Sequence, residues 1–244
     1  MQMKLSSARL KLIAIAEQNL GRALTGVEHK TACGLAEPVV EFVLRERRPS
    51  EIVGMLHEIG GEESPVVFLD DLANSAETLV ANREKILARL KPKARKIVAT
   101  LDFDRAVEEI EKWFVALLKM EPPPLKIRAL SFGLVEAGRG CQLYVCGADK
   151  YDADDCAWAC DPAWWPEGRY APSGELSALW QPLKKAGEEP WIVVQAIVIV
   201  LVRAMFEAHG VEFGKLFKRK NLFVASGFDD GDLYTIRTVL SPKE

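Results

Sequence analysis

Residues 151–170, YDADDCAWACDPAWWPEGRY, hold four aspartates, two cysteines and three tryptophans in twenty positions. Thiols and carboxylates at that density raise the question of a metal. Structural zinc is held by cysteine pairs spaced two to four residues apart on a turn. Cys141 and Cys146 are five apart on an expected strand, where they point to opposite faces. Cys156 and Cys160 can share a helical face but lack two further ligands. The cysteines are therefore read as small apolar residues. Asp149, Asp152, Asp154 and Asp155 offer hard oxygen ligands, yet the alternating acids, central glycine and terminal glutamate of an EF-hand are missing. The later DDGD, Asp229–Asp232, is also a good β-turn sequence. Neither a metal nor a cofactor is expected.

Nucleophilic and acid–base catalysis have little to stand on locally. The three histidines, His29, His57 and His209, lie in no motif with a nucleophile, and no G-x-S-x-G, H-E-x-x-H or P-loop pattern occurs. His209 is expected at the end of a helix, as a cation facing the negative end of the dipole. No catalytic residue is assigned.

Recognition of a partner fits the residue types better. Between Asp149 and Glu167 the acids outnumber the single base Lys150, and Tyr151, Trp158, Trp164 and Trp165 interleave with them. Aromatic side chains dominate binding hot spots, and a local negative potential steers a basic partner. Trp158 and Cys160 are expected to point inward as a plug. Trp164 and Trp165 are adjacent, so one of them is expected at the surface. The docking edge is assigned to Asp152, Asp154, Asp155, Trp164, Trp165, Asp229, Asp230 and Asp232. The basic run Lys215–Lys220 is read as a solvated face, or as an internal partner of the acidic loop.

These residues need elements to position them. The first half reads as successive helices. Leu12, Ala16, Leu20 and Leu24 recur every four residues after Ser6 and Ser7. Pro38 opens a second stripe with Val39, Phe42 and Val43, and Ser50 a third with Ile52, Met55, Leu56 and Ile59. Asn74 with Glu77 marks the start of a helix carrying Leu79, Ile86, Leu87 and Leu90. Asp102 opens the strongest, with Phe103, Val107, Ile110, Trp113, Phe114 and Leu117 on one face. The run EPPPL, 121–125, then stops helical structure. Beyond it the period changes to two strands joined at Gly138-Arg139-Gly140, helices from Ser173 and from Pro190, and a closing hairpin, NLFVASGF to LYTIRTVL. The expected fold is α+β. A helical domain, 1–121, precedes a domain, 122–244, with a small antiparallel sheet and packed helices.

Composition sets limits on the partner. Lys and Arg number 32 against 35 Asp and Glu, for a net charge of −3. No region is basic enough to track a polyanion, so nucleic acid is not an expected partner. The apolar run Trp191–Phe206 contains Gln195 and Arg203 and falls short of the roughly 20 residues of a bilayer span. It is read as a buried helix, and no membrane is expected as a partner. The N-terminal apolar residues are broken by Arg9, Lys11 and Glu17, which leaves no signal-peptide core. Five cysteines, an odd number, without an export signal point to reduced thiols in the cytoplasm.

In the C-terminal half a strand ending at Gly147 leads into an Asp-rich loop with Asp152 and Asp155, then Trp158, Ala159, Cys160 and Pro166, and later a Gly-Phe-Asp-x-Gly-Asp hairpin at Gly227, Phe228, Asp229, Gly231 and Asp232. In these features it resembles bacterial toxin-neutralising immunity proteins, antagonists of contact-dependent or secretion-system toxins. The resemblance covers about residues 126–240. It implies a non-enzymatic cytoplasmic protein that binds a cognate protein toxin. Two other classes stay in view: a hydrolase or transferase using the aspartates and a divalent ion, and a scaffold whose helical half binds other helices.

Overall fold

The structure is a computed structural model that describes residues 7–20, 37–47, 65–152, 156–172, 174–217, 222–229 and 233–236. The chain divides into two compact units, residues 1–68 and 69–244. In the first unit, helices α1 (Ser7–Leu20) and α2 (Glu37–Glu46) pack together. Leu12, Ile13 and Ala16 of α1 and Val40 and Val43 of α2 are buried there. The side chains of Leu20, Val39 and Phe42, and the stripe expected over 50–59, lie outside the described residues.

The division at 68/69 differs from the boundary expected at the triple proline. Helices α4 (Leu79–Arg89), α5 (Pro92–Val98) and α6 (Phe103–Met120) belong to the same unit as the sheet. The prolines end α6 without separating it, because its apolar face remains packed against a later helix. Asp102 caps α6 as its sequence requires, its side chain accepting from Arg105 N at 3.1 Å. The start of α4 is different from its sequence signature. Asn74 is the last residue of α3 (Pro65–Asn74), and Thr78 caps α4 by accepting from Ala81 N. Pro92 opens α5, in the first-turn position where its missing N–H costs nothing.

Strands β1 (Ala129–Ala137) and β2 (Gly140–Ala148) form a hairpin closed at Gly138-Arg139, where Gly138 has φ 59°. Helices α7 (Gly174–Lys185) and α8 (Pro190–Phe217) follow, and then β3 (Phe223–Phe228) and β4 (Leu233–Ile236). The sheet order is β2-β1-β3-β4. Both hairpins are antiparallel, but β1 and β3 pair in parallel, so the sheet is mixed. The reason is the crossover. β2 runs back along β1, and the two helices return the chain across one face to the end where β1 began.

The core lies between that face and the helices. From Val193 to Val202 every residue of α8 is buried, and the helix packs on α4, α6, α7, β3 and β4. By length and composition Pro190–Gly210 would also cross a membrane, yet most of its apolar stretch is buried inside this unit. Phe114 of α6 meets Phe132, Phe206 and Phe213 with ring centroids 5.3, 6.1 and 5.3 Å away. The two polar residues that interrupt α8 make its specific bonds. Gln195 Nε2 donates to Ser226 Oγ at 2.8 Å, and that hydroxyl donates to Phe132 O at 2.8 Å. Arg203 Nη1 donates to the carbonyls of Leu72 and Ser75, and Nη2 to that of Glu77. His209 is not at a helix end, since α8 continues to Phe217; its Nε2 lies 3.1 Å from Glu111 of α6.

Arg203 is 1 % exposed, so its loss would take the donor from three carbonyls, that of Leu72 buried and those of Ser75 and Glu77 partly so. Arg203→Met is expected to lower unfolding free energy by about 3 kcal/mol, read as a lower urea midpoint with an unchanged slope.

Candidate functional site

The sheet's second face carries the site. Alternation along the strands and the pairing register place three rows there. The rows are Ala148–Ala129–Phe223, Cys146–Ser131–Ala225–Thr235 and Tyr144–Gly133–Gly227–Leu233. Most of these side chains are small or absent, so the middle of the face is sunken. A glycine inside a strand often marks a close approach by another group. At Gly133 that group is Tyr144, whose ring would collide with any added Cβ. The phenol lies across the glycine and its hydroxyl donates to Asp229 Oδ1.

The Asp-rich loop roofs this face and is pinned at both ends. At its start Tyr151 stacks flat on Phe223, centroids 3.8 Å apart and 3° between planes. The Tyr151 hydroxyl pairs with Thr235 Oγ1 at 3.1 Å. A short 3-10 turn, Cys156–Ala159, follows, and half-buried Trp158 meets Tyr151 at 5.6 Å. The end of the loop is tied to the β2 edge. Gly147 and Trp164 exchange both backbone bonds at 2.9 Å, Val145 N donates to Arg169 O, and Ala171 N to Leu143 O. Glu121, just ahead of the prolines, accepts from Glu167 N at 2.7 Å and Gly168 N at 2.8 Å.

This edge pairing sends the adjacent tryptophans to opposite faces. Trp164 is 6 % exposed and its Nε1 donates to Glu121 O. Trp165 is 49 % exposed and meets Tyr144 edge-on at 5.6 Å. Trp164 is thus a structural anchor rather than part of the docking edge assigned to it from sequence. Cys160 is exposed, not inward as expected. The chain leaves the 3-10 turn there, with Trp158 taking the covered position.

Between floor and roof is a partly open cavity of about 670 Å³, lined by Ser131, Tyr144, Cys160, Pro162, Trp165 and Asp229, with Ala159, Gly227, Phe228 and Leu233. Of the eight residues assigned from sequence, Trp165 and Asp229 meet at this cavity. Asp152 is exposed near the start of the roof. Asp154, Asp155, Asp230 and Asp232 lie outside the described residues. Tyr144, Ser131 and Leu233 were missed by sequence reasoning. Glycine inside both β1 and β3, Gly133 and Gly227, was the available signal.

The electrostatics follow from burial. Burial pushes the Tyr144 phenol up, and the hydrogen bond to Asp229 and its charge add to the shift. The Cys146 thiol is pushed up to about 12, by burial first and then by the Asp229 charge and Cys160. Cys141 is also pushed up to about 12, by burial and then Glu136. Both thiols are therefore neutral at ordinary pH and poor nucleophiles. Among the described residues lining the cavity, Asp229 alone carries a formal charge. Arg169 lies against the Trp165 ring that lines the cavity, its guanidinium carbon 4.5 Å from that ring and 4.8 Å from Tyr170. Among the described residues no group of three or more His, Cys, Asp or Glu is placed to hold a metal ion. The arrangement can enclose an apolar group and present one oriented carboxylate to its polar end.

Gly133→Ala is expected to cost about 2 kcal/mol by driving the Tyr144 ring off the sheet. In a double-mutant cycle with Tyr144→Ala, about 1 kcal/mol or more of that cost should disappear. The raised thiols have a sign that can be checked. Above a thiol's ordinary pKa of 9.0 the unfolded chain loses thiol protons that the folded chain keeps, so stability falls as pH rises from 9 towards 12. A Cys141→Ala/Cys146→Ala variant should show a shallower decline in chemical denaturation. Alkylation at pH 8 followed by peptide mass mapping should modify Cys160 before either buried thiol.

No protein-family model matches this chain, and neither a curated protein nor a solved structure matches it.

Proposed function

We propose that this chain is a cytoplasmic binding protein of the immunity type, which neutralises a cognate bacterial toxin domain by docking it on the roofed face of the sheet. One observation carries the reading. The Asp-rich loop and the Gly-Phe-Asp hairpin, far apart in sequence, contribute Cys160, Trp165, Phe228 and Asp229 to one cavity. Those two segments are the ones that bear the resemblance to immunity proteins.

The surroundings of the cavity support a protein partner. Trp165, Tyr170 and Phe223 are exposed aromatics, and such residues supply large contact area at low entropic cost. Asp152, Asp161, Glu167 and Asp229 are exposed acids on the same loop and hairpin, which would steer a basic surface.

The test is to read the neighbouring gene, which this proposal expects to encode a toxin domain, and to co-express that domain with this chain. Wild type should restore growth, and Trp165→Ala/Asp229→Lys should lose protection while melting within a few degrees of wild type. Absence of rescue by wild type, or full rescue by the variant, would reject the reading.

A further inference from the structure

We infer that the cavity takes a long cationic side chain, arginine or lysine, from the partner, with Asp229 as its counter-ion. This inference rests on the docking reading above and names what would be docked.

The first argument is charge. Asp229 is the one formal charge among the described lining residues, so an anionic group entering there would meet its repulsion, while the Arg169 guanidinium is already engaged on the Trp165 and Tyr170 rings. The second is the layout of polarity. Ala159, Pro162, Trp165 and Leu233 give the cavity apolar walls, and the carboxylate stands at one place among them. Arginine and lysine have the matching form, an apolar stem with a charged head. The third is orientation. Tyr144 donates to Asp229 Oδ1, and Asp229 N donates to Leu134 O at 3.1 Å. Both bonds position the carboxylate, which has about four lone-pair sites on its two oxygens. Among the described residues Tyr144 occupies one of these sites, which leaves others to meet an incoming N–H. Tyr144 is a positioning residue in this scheme.

The rings supply the fourth argument. A cation is stabilised over the face of tryptophan or tyrosine, and the Trp165 ring already carries Arg169 at 4.5 Å. A second cation near Arg169 is tolerable only with an acid beside it, which assigns the neutralising role to Asp229. The volume of about 670 Å³ is ample for one such side chain with part of its flanking backbone.

The experiment uses the full chain and three capped tripeptides, acetyl-Gly-Xaa-Gly-amide with arginine, norleucine or glutamate. Binding is followed by two-dimensional NMR, with the Trp165 indole signal assigned by Trp165→Phe. The arginine peptide is expected to bind with a Kd on the order of millimolar and to shift the Trp165 indole, with the other two at least about tenfold weaker. Asp229→Asn should weaken arginine binding about tenfold and Asp229→Glu should recover part of it, with folding checked by unchanged amide dispersion. Equal binding of norleucine and arginine, or arginine affinity indifferent to Asp229→Asn, would overturn the inference. If wild type protects against the toxin but the arginine peptide does not bind, the cation is wrong and the docking face stands. If the peptide binds but wild type does not protect, the cation stands and the toxin reading is wrong.

Discussion

The larger unit depends on the burial of α8. A helix apolar on every side gains most by being enclosed on every side. That requirement brings α4, α6 and α7 around it and lays the sheet across what remains. Each fully buried Val, Leu, Ile or Phe contributes about 1.5–3 kcal/mol relative to exposure, so this helix outweighs any other element. Apolar contact has no direction of its own, however. Gln195 and Arg203 supply direction, one fixing the helix to the β1–β3 junction through Ser226, the other holding the carbonyls after α3. The residues that keep this segment from being uniformly apolar also set its rotation and register.

With helices covering one face, the sheet's other face is left to the loop. Its β1 positions Ala129, Ser131 and Gly133 are buried all the same, because the described part of the loop, 156–170, and Tyr144 cover them from outside. A roof over large side chains would have closed into solid core. Over Gly133, Gly227, Ser131 and Ala225 it leaves a hollow, into which Tyr144 leans towards Asp229. The cavity is a consequence of side-chain size along three cross-strand rows. Its polar end follows from one phenol lying over one glycine.

Glu121 shows how the two faces are linked. At the end of α6 its carboxylate accepts two N–H bonds from the loop's return, and its carbonyl accepts from Trp164. The helical core thereby holds the far end of the roof at the β2 edge. The proline run that follows Glu121 stiffens a connection inside one unit, where from sequence it looked like a linker between two.

Both hairpins and most of the described helices were legible in the chain, α3 and α5 excepted, as were the cap at Asp102, the helix start at Pro190, the turn at Gly138, and one exposed tryptophan in the Trp164-Trp165 pair. These properties depend on neighbours within a few residues, whose spacing carries the signal. What required the tertiary structure was every feature set by distant partners. The parallel junction of β1 with β3 depends on which way α8 crosses. The unit boundary depends on where α6 finds its apolar partner, and the exposure of Cys160 on where the 3-10 turn releases the chain. The meeting of Tyr144, Trp165 and Asp229 depends on the register of β2, β1 and β3 and on the loop's bonds to the β2 edge. A sequence states which residues are small, aromatic or acidic; only the pairing of strands far apart in the chain decides that they surround one space.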